Sequence, residues 1–296
     1  MTITMSKMTK NTKPLPAIVA DLHIHSTASD GEYTPAEIAA VLESRHISVA
    51  ALADHDSFSG FREFKKAYRG TAIPAVELSV SCNNIGFHLL SYGFDPENRK
   101  LIERLKHFQQ VRKERIQKMC ERLADMGLPV SMDDIRKNCP PGTTLGRPHI
   151  ARAMLAAGYI KSFNMAFHKY IGDGKDAYIP KARMDFEEAR ELIRISGGIS
   201  ILAHPGLYHK EIALEKLLQL PVDGFEAYHP NHSPGYARSI INYCLNHQLP
   251  YTGGSDFHDL RKNKTNVIGK WGLLEKEWGP LRSYLQEHCV YDFPAV

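Results

Sequence analysis

Paired cysteines are missing from this 296-residue chain, whose five cysteines are scattered and never form a CxxC pair. This spacing argues against a zinc finger and a disulfide framework, so we expect free thiols in a reducing compartment. The chain also lacks a run of 18 apolar residues, which argues against a membrane span. Residues 1–17 lack the apolar middle of a signal peptide. We therefore expect a loose polar N-terminal tail on a cytoplasmic protein.

Charge of one sign is also scarce, because the formal net charge is only +4. This value alone does not indicate nucleic-acid binding. The basic residues are unevenly distributed, however, since segment 97–180 holds 16 Lys and Arg against 9 Asp and Glu. That excess either guides a polyanionic substrate or is only the solvated face of a long helix around 112–118.

Short apolar runs alternate with helical patterns along most of the chain. At 34–45, Thr34, Pro35 and Glu37 provide the cap, first-turn proline and capping box of a helix. Seven such alternating runs favour an α/β fold with a seven-stranded parallel barrel of TIM type, rather than an open doubly wound sheet. A hairpin-like loop separates the third and fourth strands. The seven predicted strands are 17–24, 48–54, 72–80, 87–94, 199–205, 222–230 and 250–256.

The alternation stops between residues 96 and 180. This segment contains little that resembles a strand, and its amphipathic patterns predict helices at 96–127, 131–138, 147–158 and 162–172. We therefore predict a barrel formed by 18–95 and 181–296, with 96–180 as an inserted all-helical subdomain that covers the barrel mouth.

Histidine is abundant, with 15 residues, and its placement is informative. The carboxyl ends of barrel strands form the active face, and each predicted strand carries His, Asp or Glu at or near one rim, although His88 of the fourth strand lies near the start of that strand. Alternation places His23 and His25 on one side of their strand, and Asp256 and His258 on one side of theirs. The rim residues are His23, His25, Asp30, Asp54, His55, Asp56, Glu77, His88, His204, Glu226, His229, Asp256 and His258.

A single buried histidine is usually a hydrogen-bonded core residue, and an Asp that follows a strand is often a helix cap. So many polar groups at one rim would be costly without a partner. Imidazoles and carboxylates without thiolates suit zinc, manganese or iron. The pattern therefore predicts a multi-metal centre.

The motifs that carry these residues also resemble a known family. In order they are DLHIHSTASDG, ADHDSFSG, PAVELS, FHLLSYGF, AHPG, EAYHP and GGSDFH. The chain from about residue 18 resembles the polymerase and histidinol phosphatase (PHP) superfamily. With LGRPHIARAM it resembles the subgroup of 3',5'-nucleoside bisphosphate phosphatases and 5'-to-3' exoribonucleases (RNase AM-like). One small departure is Ala53, where the family more often has threonine.

The resemblance implies a distorted (β/α)7 barrel that holds three divalent ions, Mn²⁺, Fe²⁺ or Zn²⁺, alone or mixed. It assigns His23, His25, Glu77 and Asp256 to the first ion. Glu77 would bridge to the second ion, held also by His88 and His204. Asp30, His55 and His258 would hold the third. Glu226 falls outside this set.

Such a centre would be a positive pocket suited to phosphate esters, with hydroxide from a metal-bridging water as nucleophile. Arg147 and His149 open a predicted helix, where backbone amides favour phosphate, and the resemblance assigns substrate-phosphate binding to this motif. Arg147 alone could equally be a solvated residue. His229 is a candidate substrate contact or leaving-group acid.

Together with these features, the resemblance implies an enzyme that removes the 3'-phosphate of nucleoside 3',5'-bisphosphates and degrades 5'-phosphorylated RNA stepwise. Its partners would be a nucleoside bisphosphate or short RNA, with no membrane and no obligate protein partner. One alternative is a different small-molecule phosphatase, resembling histidinol phosphatase. Another is a non-catalytic nucleic-acid-binding domain stabilised by metal.

Overall fold

A computed structural model describes residues 17–137, 139–208, 211–259 and 267–293. Nearly all of the predicted N-terminal tail, residues 1–16, lies outside these ranges, as does residue 138 at the end of one predicted helix. No helix within the described ranges is both long and apolar enough to cross a membrane.

All seven predicted strands are present, but their predicted number was wrong. Two further strands, Met184–Asp185 and Leu273–Leu274, have only two residues each, which is too short for an alternating pattern to reveal. The strands of the described ranges are β1 (Ile18–Ile24), β2 (Val49–Leu52), β3 (Thr71–Cys82), β4 (Ile85–Tyr92), β5 (Met184–Asp185), β6 (Ile199–Leu202), β7 (Gly224–Tyr228), β8 (Tyr251–Gly253) and β9 (Leu273–Leu274).

The strands form one sheet that curls into a nearly closed barrel. Eight strands follow the order β8-β7-β6-β4-β3-β2-β1-β9, and β5 pairs with β3 outside this path. The chain that follows β8 returns to β1, where the backbone N–H of His25 donates to the carbonyl of Phe257 at 2.9 Å. The α/β barrel predicted from the sequence is therefore confirmed in its general form.

The expectation that all strands run parallel was also wrong, because β4 is antiparallel to both β3 and β6. A two-residue turn at Asn83 and Asn84 joins β3 to β4, and both residues have positive φ angles, 49° and 64°. Asparagine tolerates this conformation, and it is typical of tight hairpins. As a result, the start of β4 lies at the same rim as the carboxyl ends of its neighbours.

Helices cover the outside of the barrel and make up most of segment 96–180. The Thr34 cap and the Glu37 capping box are both present at the start of the helix Pro35–Ser44. Within residues 211–220, only Leu214–Leu217 form an α-helix, of about one turn. The helices are α1 (Pro35–Ser44), α2 (Phe61–Ala67), α3 (Arg99–Asp125), α4 (Met132–Arg136), α5 (Arg147–Ala156), α6 (Phe163–Ala166), α7 (Phe186–Ile195), α8 (Leu214–Leu217), α9 (Pro234–Asn246) and α10 (Glu275–His288).

The long helix α3 contributes to two hydrophobic cores. Its first half places Leu101, Leu105 and Phe108 in a cluster with β3 and β4. Its second half packs into a separate cluster whose buried members all lie between Ile116 and Ala177. Because α3 belongs to both cores, the proposed boundary between barrel and insert at residues 95 and 96 stays a prediction.

Candidate metal centre

The nine predicted metal ligands converge at one rim of the barrel. They occur in four overlapping groups, and the ligand atoms within each group lie within 4.8 Å of one another. His25 joins the group of Asp30, His55 and His258, and His55 also joins Glu77 and His88, so the groups only partly follow the division into three ions. The groups are His25, Asp30, His55 and His258; His23, Glu77 and His204; His23, His25 and Asp256; and His55, Glu77 and His88.

Glu77 lies at the centre of these groups, with an exposed fraction of only 1%. Its Oε1 lies 2.8 Å from His88 Nδ1 and 2.9 Å from His204 Nε2. Its Oε2 lies 2.8 Å from His55 Nδ1. Burial raises the pKa of the carboxyl group, but the imidazoles of His88, His55 and His23 outweigh this effect and keep the pKa well below its ordinary value.

Several of the candidate ligand atoms are buried without a hydrogen-bond partner in the described structure. They include His23 Nε2, both ring nitrogens of His25 and Asp30 Oδ1. Buried polar atoms are normally satisfied, because each unsatisfied one costs about 1–3 kcal/mol. Imidazole nitrogens and carboxylate oxygens that face one another in this way fit divalent cations, whose binding would satisfy them together.

The backbone is strained where several polar residues follow their strands. His204, Asp256 and Asp56 have positive φ angles of 31°, 47° and 48°. Non-glycine residues adopt this region at a cost, and such strain clusters at functional sites. Specific hydrogen bonds offset it: the N–H of His204 donates to Glu226 Oε2 at 2.7 Å, and that of Asp56 to the Glu77 carbonyl at 2.9 Å.

Glu226, which the sequence left without a role, holds one of the candidate ligands. It is fully buried, and its Oε1 lies 2.9 Å from His23 Nδ1. This contact leaves His23 Nε2 facing Glu77 and Asp256, at 3.6 Å from each. A carboxylate that fixes the ring of a metal-binding histidine also raises its basicity. Glu226 therefore positions the ring of His23 and, by accepting the backbone N–H of His204, the backbone of that second ligand as well.

We expect Glu226→Gln to lower metal affinity about 10–100-fold, as is typical when the partner of a ligating histidine is changed. Titrating manganese into the metal-free protein by calorimetry would measure the effect. Glu187→Gln, which changes an exposed carboxylate paired with Arg190, is the matched control. A manganese affinity unchanged by Glu226→Gln would contradict this positioning role.

Asp54 and Asp56 flank His55 but occur in none of the metal-binding groups. Asp54 accepts hydrogen bonds from the Ser26 backbone, the Ser26 hydroxyl and the Ser29 hydroxyl, at 2.6–2.7 Å. It thereby shapes the loop between β1 and α1 that carries Asp30. Asp56 is bound by Arg112 of α3 at 2.7 Å. Both carboxylates support ligand-bearing loops.

His229 is fully buried, and both of its ring nitrogens are engaged. Nδ1 accepts the backbone N–H of Asn231 at 3.2 Å, and Nε2 lies 3.3 Å from Asp256 Oδ2. Because Nδ1 accepts a hydrogen bond, the ring proton lies on Nε2, which donates to Asp256 and orients it. A substrate contact or a leaving-group acid at His229 stays a prediction.

A cavity of about 370 Å³ opens beside the cluster and contains Arg147. Arg147 Nη1 donates to Asp173 Oδ1 at 2.9 Å, and its guanidinium lies 5.3 Å from the centre of the Tyr178 ring. Candidate ligands Asp30, His55, His88 and His204 line the same cavity. The other cationic side chains that line it are Arg112, Arg115, Lys181 and Arg183.

His149 is separated from this cavity. It is buried at the start of α5, and its Nδ1 accepts the backbone N–H of Gly146 at 3.0 Å. It lines a different cavity of about 390 Å³, together with Ser29 and Arg152. The structure thus brings Arg147, but not His149, to the cavity beside the metal-binding groups, and a substrate contact by His149 stays a prediction.

Comparisons with known proteins agree with this geometry. The chain is 32% identical to a 3',5'-nucleoside bisphosphate phosphatase of Chromobacterium violaceum, over 80% of this chain and 86% of that protein. It is 29% identical to a 5'-3' exoribonuclease of Haemophilus influenzae, over 80% and 89% of the two chains. No protein-family model matches the chain.

A solved structure from Bifidobacterium adolescentis, described as a candidate metal-dependent phosphoesterase, has the same fold. Its TM-score is 0.81 at 28% identity, over 92% of this chain and 96% of that one. The similarity therefore extends through both the barrel and the helical segment.

Proposed function

The chain belongs to the PHP superfamily of metal-dependent phosphoesterases, and from that premise we propose that it hydrolyses the 3'-phosphate of nucleoside 3',5'-bisphosphates. We propose that the same site degrades 5'-phosphorylated oligoribonucleotides in the 5'-to-3' direction. The observation that carries the proposal is a pair of close guanidinium groups in the cavity beside the metal-binding groups.

This pair consists of Arg115 and Arg147, which lie 5.8 and 5.3 Å from the centre of the same Tyr178 ring. Arg115 is only 8% exposed, and among the described residues it forms no ion pair. Burial, and then the positive charge of Arg147, lower the pKa of Arg115 to about 10. Arg147 is partly exposed and already pairs with Asp173, whereas the buried guanidinium of Arg115 has no anionic partner among the described residues, which is unfavourable unless an anion joins it. The pair therefore suits a phosphate held apart from the metal centre.

A substrate with two phosphate groups would satisfy both parts of the cavity. The reacting 3'-phosphate would lie at the metal centre, and the 5'-phosphate would lie between Arg115 and Arg147, where a guanidinium can bind it with two hydrogen bonds. Such binding orients the ester for in-line attack without contributing covalent chemistry.

We propose that the centre holds three divalent ions, with His23, His25, Glu77 and Asp256 at the first, His88 and His204 joining Glu77 at the second, and Asp30, His55 and His258 at the third. When bound, divalent ions would acidify water to a nucleophile and offset charge on the phosphate. Glu226 and His229 orient His23 and Asp256 for this task. Arg112 fixes the loop that carries His55.

Both proposed activities break the same bond. Stepwise degradation that leaves a 5'-phosphate on the shortened RNA must cleave between phosphorus and the 3'-oxygen of the first nucleotide. Removal of the 3'-phosphate from a bisphosphate cleaves the equivalent bond. One arrangement of metal centre and 5'-phosphate site can therefore serve both substrates.

Purified protein supplied with manganese should hydrolyse adenosine 3',5'-bisphosphate and shorten a 5'-phosphorylated oligoribonucleotide from its 5' end. Histidinol phosphate tests the alternative phosphatase activity, and faster hydrolysis of that compound would favour it. If no substrate is hydrolysed while His25→Ala still loses bound manganese, the metal is only structural and the proposal fails.

Arg147→Met should reduce kcat/KM for adenosine 3',5'-bisphosphate about 10–100-fold, because a hydrogen bond to a charged group contributes about 1.5–3 kcal/mol. Hydrolysis of adenosine 3'-monophosphate, which has no 5'-phosphate, should change little. Arg190→Met, which removes a partly exposed arginine paired with Glu187, is the matched control. Equal losses on the two nucleotides would exclude Arg147 as a 5'-phosphate ligand.

A further inference from the structure

Lys181 is a partly buried lysine in the cavity beside the metal-binding groups. It lines the cavity together with His55, His88 and His204. Among the described residues, its ammonium group forms no hydrogen bond and no ion pair. A buried ammonium group is normally paired. Because that of Lys181 has no partner, it is available to a ligand of the cavity.

The backbone around Lys181 is fixed on both sides. Arg122 Nη1 donates to the carbonyl of Tyr178 at 2.6 Å, and Arg115 Nε donates to that of Ile179 at 2.7 Å. On the other side, Met184 of β5 pairs with Val80 of β3. Lys181 is therefore held at the cavity by a rigid segment and not by a free loop.

The charges around Lys181 favour transfer of its proton. Burial, and then the positive charge of Arg112, lower its pKa, whereas Asp56, Glu77 and Asp30 oppose this shift, and the result is about 7. An amine in this range can both donate and recover a proton near neutral pH. This supports a role for the side chain that its position in the cavity already suggests.

Hydrolysis of an ester of an alcohol needs such a donor, because an alkoxide is a poor leaving group. His229 is badly placed for this step, since it is fully buried, does not line the cavity and has both ring nitrogens engaged. Among the described residues of the cavity wall, Lys181 combines an unpaired proton donor with a position beside the candidate ligands.

We propose that Lys181 is the general acid that protonates the leaving 3'-oxygen. The inference rests on the proposed function, because it assumes that an alkyl phosphate reacts at this centre. As water oxygen bonds to phosphorus, the bond from phosphorus to the 3'-oxygen breaks, and that oxygen takes a proton from Lys181 Nζ. The attacking water retains one proton as the phosphate hydroxyl and releases the other, and the neutral amine recovers a proton from solvent.

Two simple esters with different leaving groups test this step. Glycerol 2-phosphate releases a secondary alcohol, as a 3'-nucleotide does, whereas p-nitrophenyl phosphate releases a phenolate that needs no proton. We expect Lys181→Met to lower kcat/KM for glycerol 2-phosphate about 10²–10⁴-fold, the usual contribution of general acid catalysis. Hydrolysis of p-nitrophenyl phosphate should change little.

Lys181→Arg separates proton donation from charge. Arginine keeps the positive charge but does not give up its proton in proteins, so it should not restore hydrolysis of glycerol 2-phosphate. Arg183→Met removes another cation from the same segment and should lower kcat/KM for both esters by the same factor. Melting temperatures of all variants show whether each has folded.

Three outcomes would overturn the proposal. The first is an equal loss of kcat/KM for the two esters in Lys181→Met. The second is full hydrolysis of glycerol 2-phosphate by Lys181→Arg, and the third is a wild-type protein that hydrolyses neither ester. Failure to hydrolyse adenosine 3',5'-bisphosphate, with glycerol 2-phosphate still a substrate, would overturn only the proposed nucleotide specificity.

Discussion

Glu77→Gln is expected to reduce phosphoesterase activity by at least about 10³-fold, because bound metal ions contribute several kcal/mol to transition-state stabilisation. Both carboxylate oxygens of Glu77 lie among imidazoles, one beside His88 and His204 and the other beside His55. Glutamine preserves the shape but replaces one oxygen with an amide NH₂, which cannot act as a ligand. The metal content of the purified variant should fall together with its activity.

Thermal unfolding gives a second measurement that does not depend on turnover. Manganese at 100 times its dissociation constant should stabilise the wild-type protein by about 2.7 kcal/mol, and Glu77→Gln should lose most of this gain. Glu97→Gln is the control, since Glu97 is exposed and paired with Arg62 on the surface. If Glu77→Gln kept both its metal content and its manganese-dependent melting temperature, Glu77 would have no place in the metal centre.

The sequence predicted the candidate site better than it predicted the sheet. Ligand residues such as His23, His25 and Asp256 lie within or directly after local strand patterns, so their positions at the rim could be inferred from alternation and from strand ends alone. The antiparallel direction of β4 depends instead on the tight Asn83–Asn84 turn that joins it to β3. His88 looked misplaced near the start of its strand until that direction was known.

The supporting residues could not be assigned from local patterns, because their partners are distant in the sequence. Glu226 contacts His23 across 203 residues, and Arg112 contacts Asp56 across 56 residues. A buried carboxylate in a strand indicates that a partner exists but not which one. Lys181 was missed for a related reason, since nothing in its segment shows that β5 pairs with β3 and brings the lysine to the cavity.

Arg112→Met is expected to lower the free energy of unfolding by about 3–5 kcal/mol, the usual cost of removing one partner from a buried ion pair. Arg112 and Asp56 are 6% and 2% exposed. Arg112 Nε donates to Asp56 Oδ2 at 2.7 Å, and its Nη2 donates to the Ser79 hydroxyl at 3.0 Å. Methionine retains much of the volume but leaves the Asp56 carboxylate buried without its cation. Urea unfolding at neutral pH would measure the loss.

The pH dependence of stability should change in a defined direction. Burial raises the pKa of Asp56, but Arg112 and then Lys181 outweigh it, so the folded-state pKa lies below its ordinary value. In the wild-type protein, Asp56 therefore contributes stability above the unfolded pKa of about 3.9, and this is lost as the pH falls through the folded value. Without Arg112, the effect of burial is less opposed, so we expect acid unfolding to begin at a higher pH.

Two further variants decide whether the ion pair itself is responsible. Asp56→Asn combined with Arg112→Met should be more stable than Arg112→Met alone, because it removes the unpaired charge. Arg190→Met breaks only a partly exposed pair with Glu187 at the surface and should cost less than about 1 kcal/mol. Because Asp56 follows His55 directly, Arg112→Met should also weaken manganese binding. A stable Arg112→Met variant with unchanged manganese affinity would mean that α3 does not hold the metal-binding loop in place.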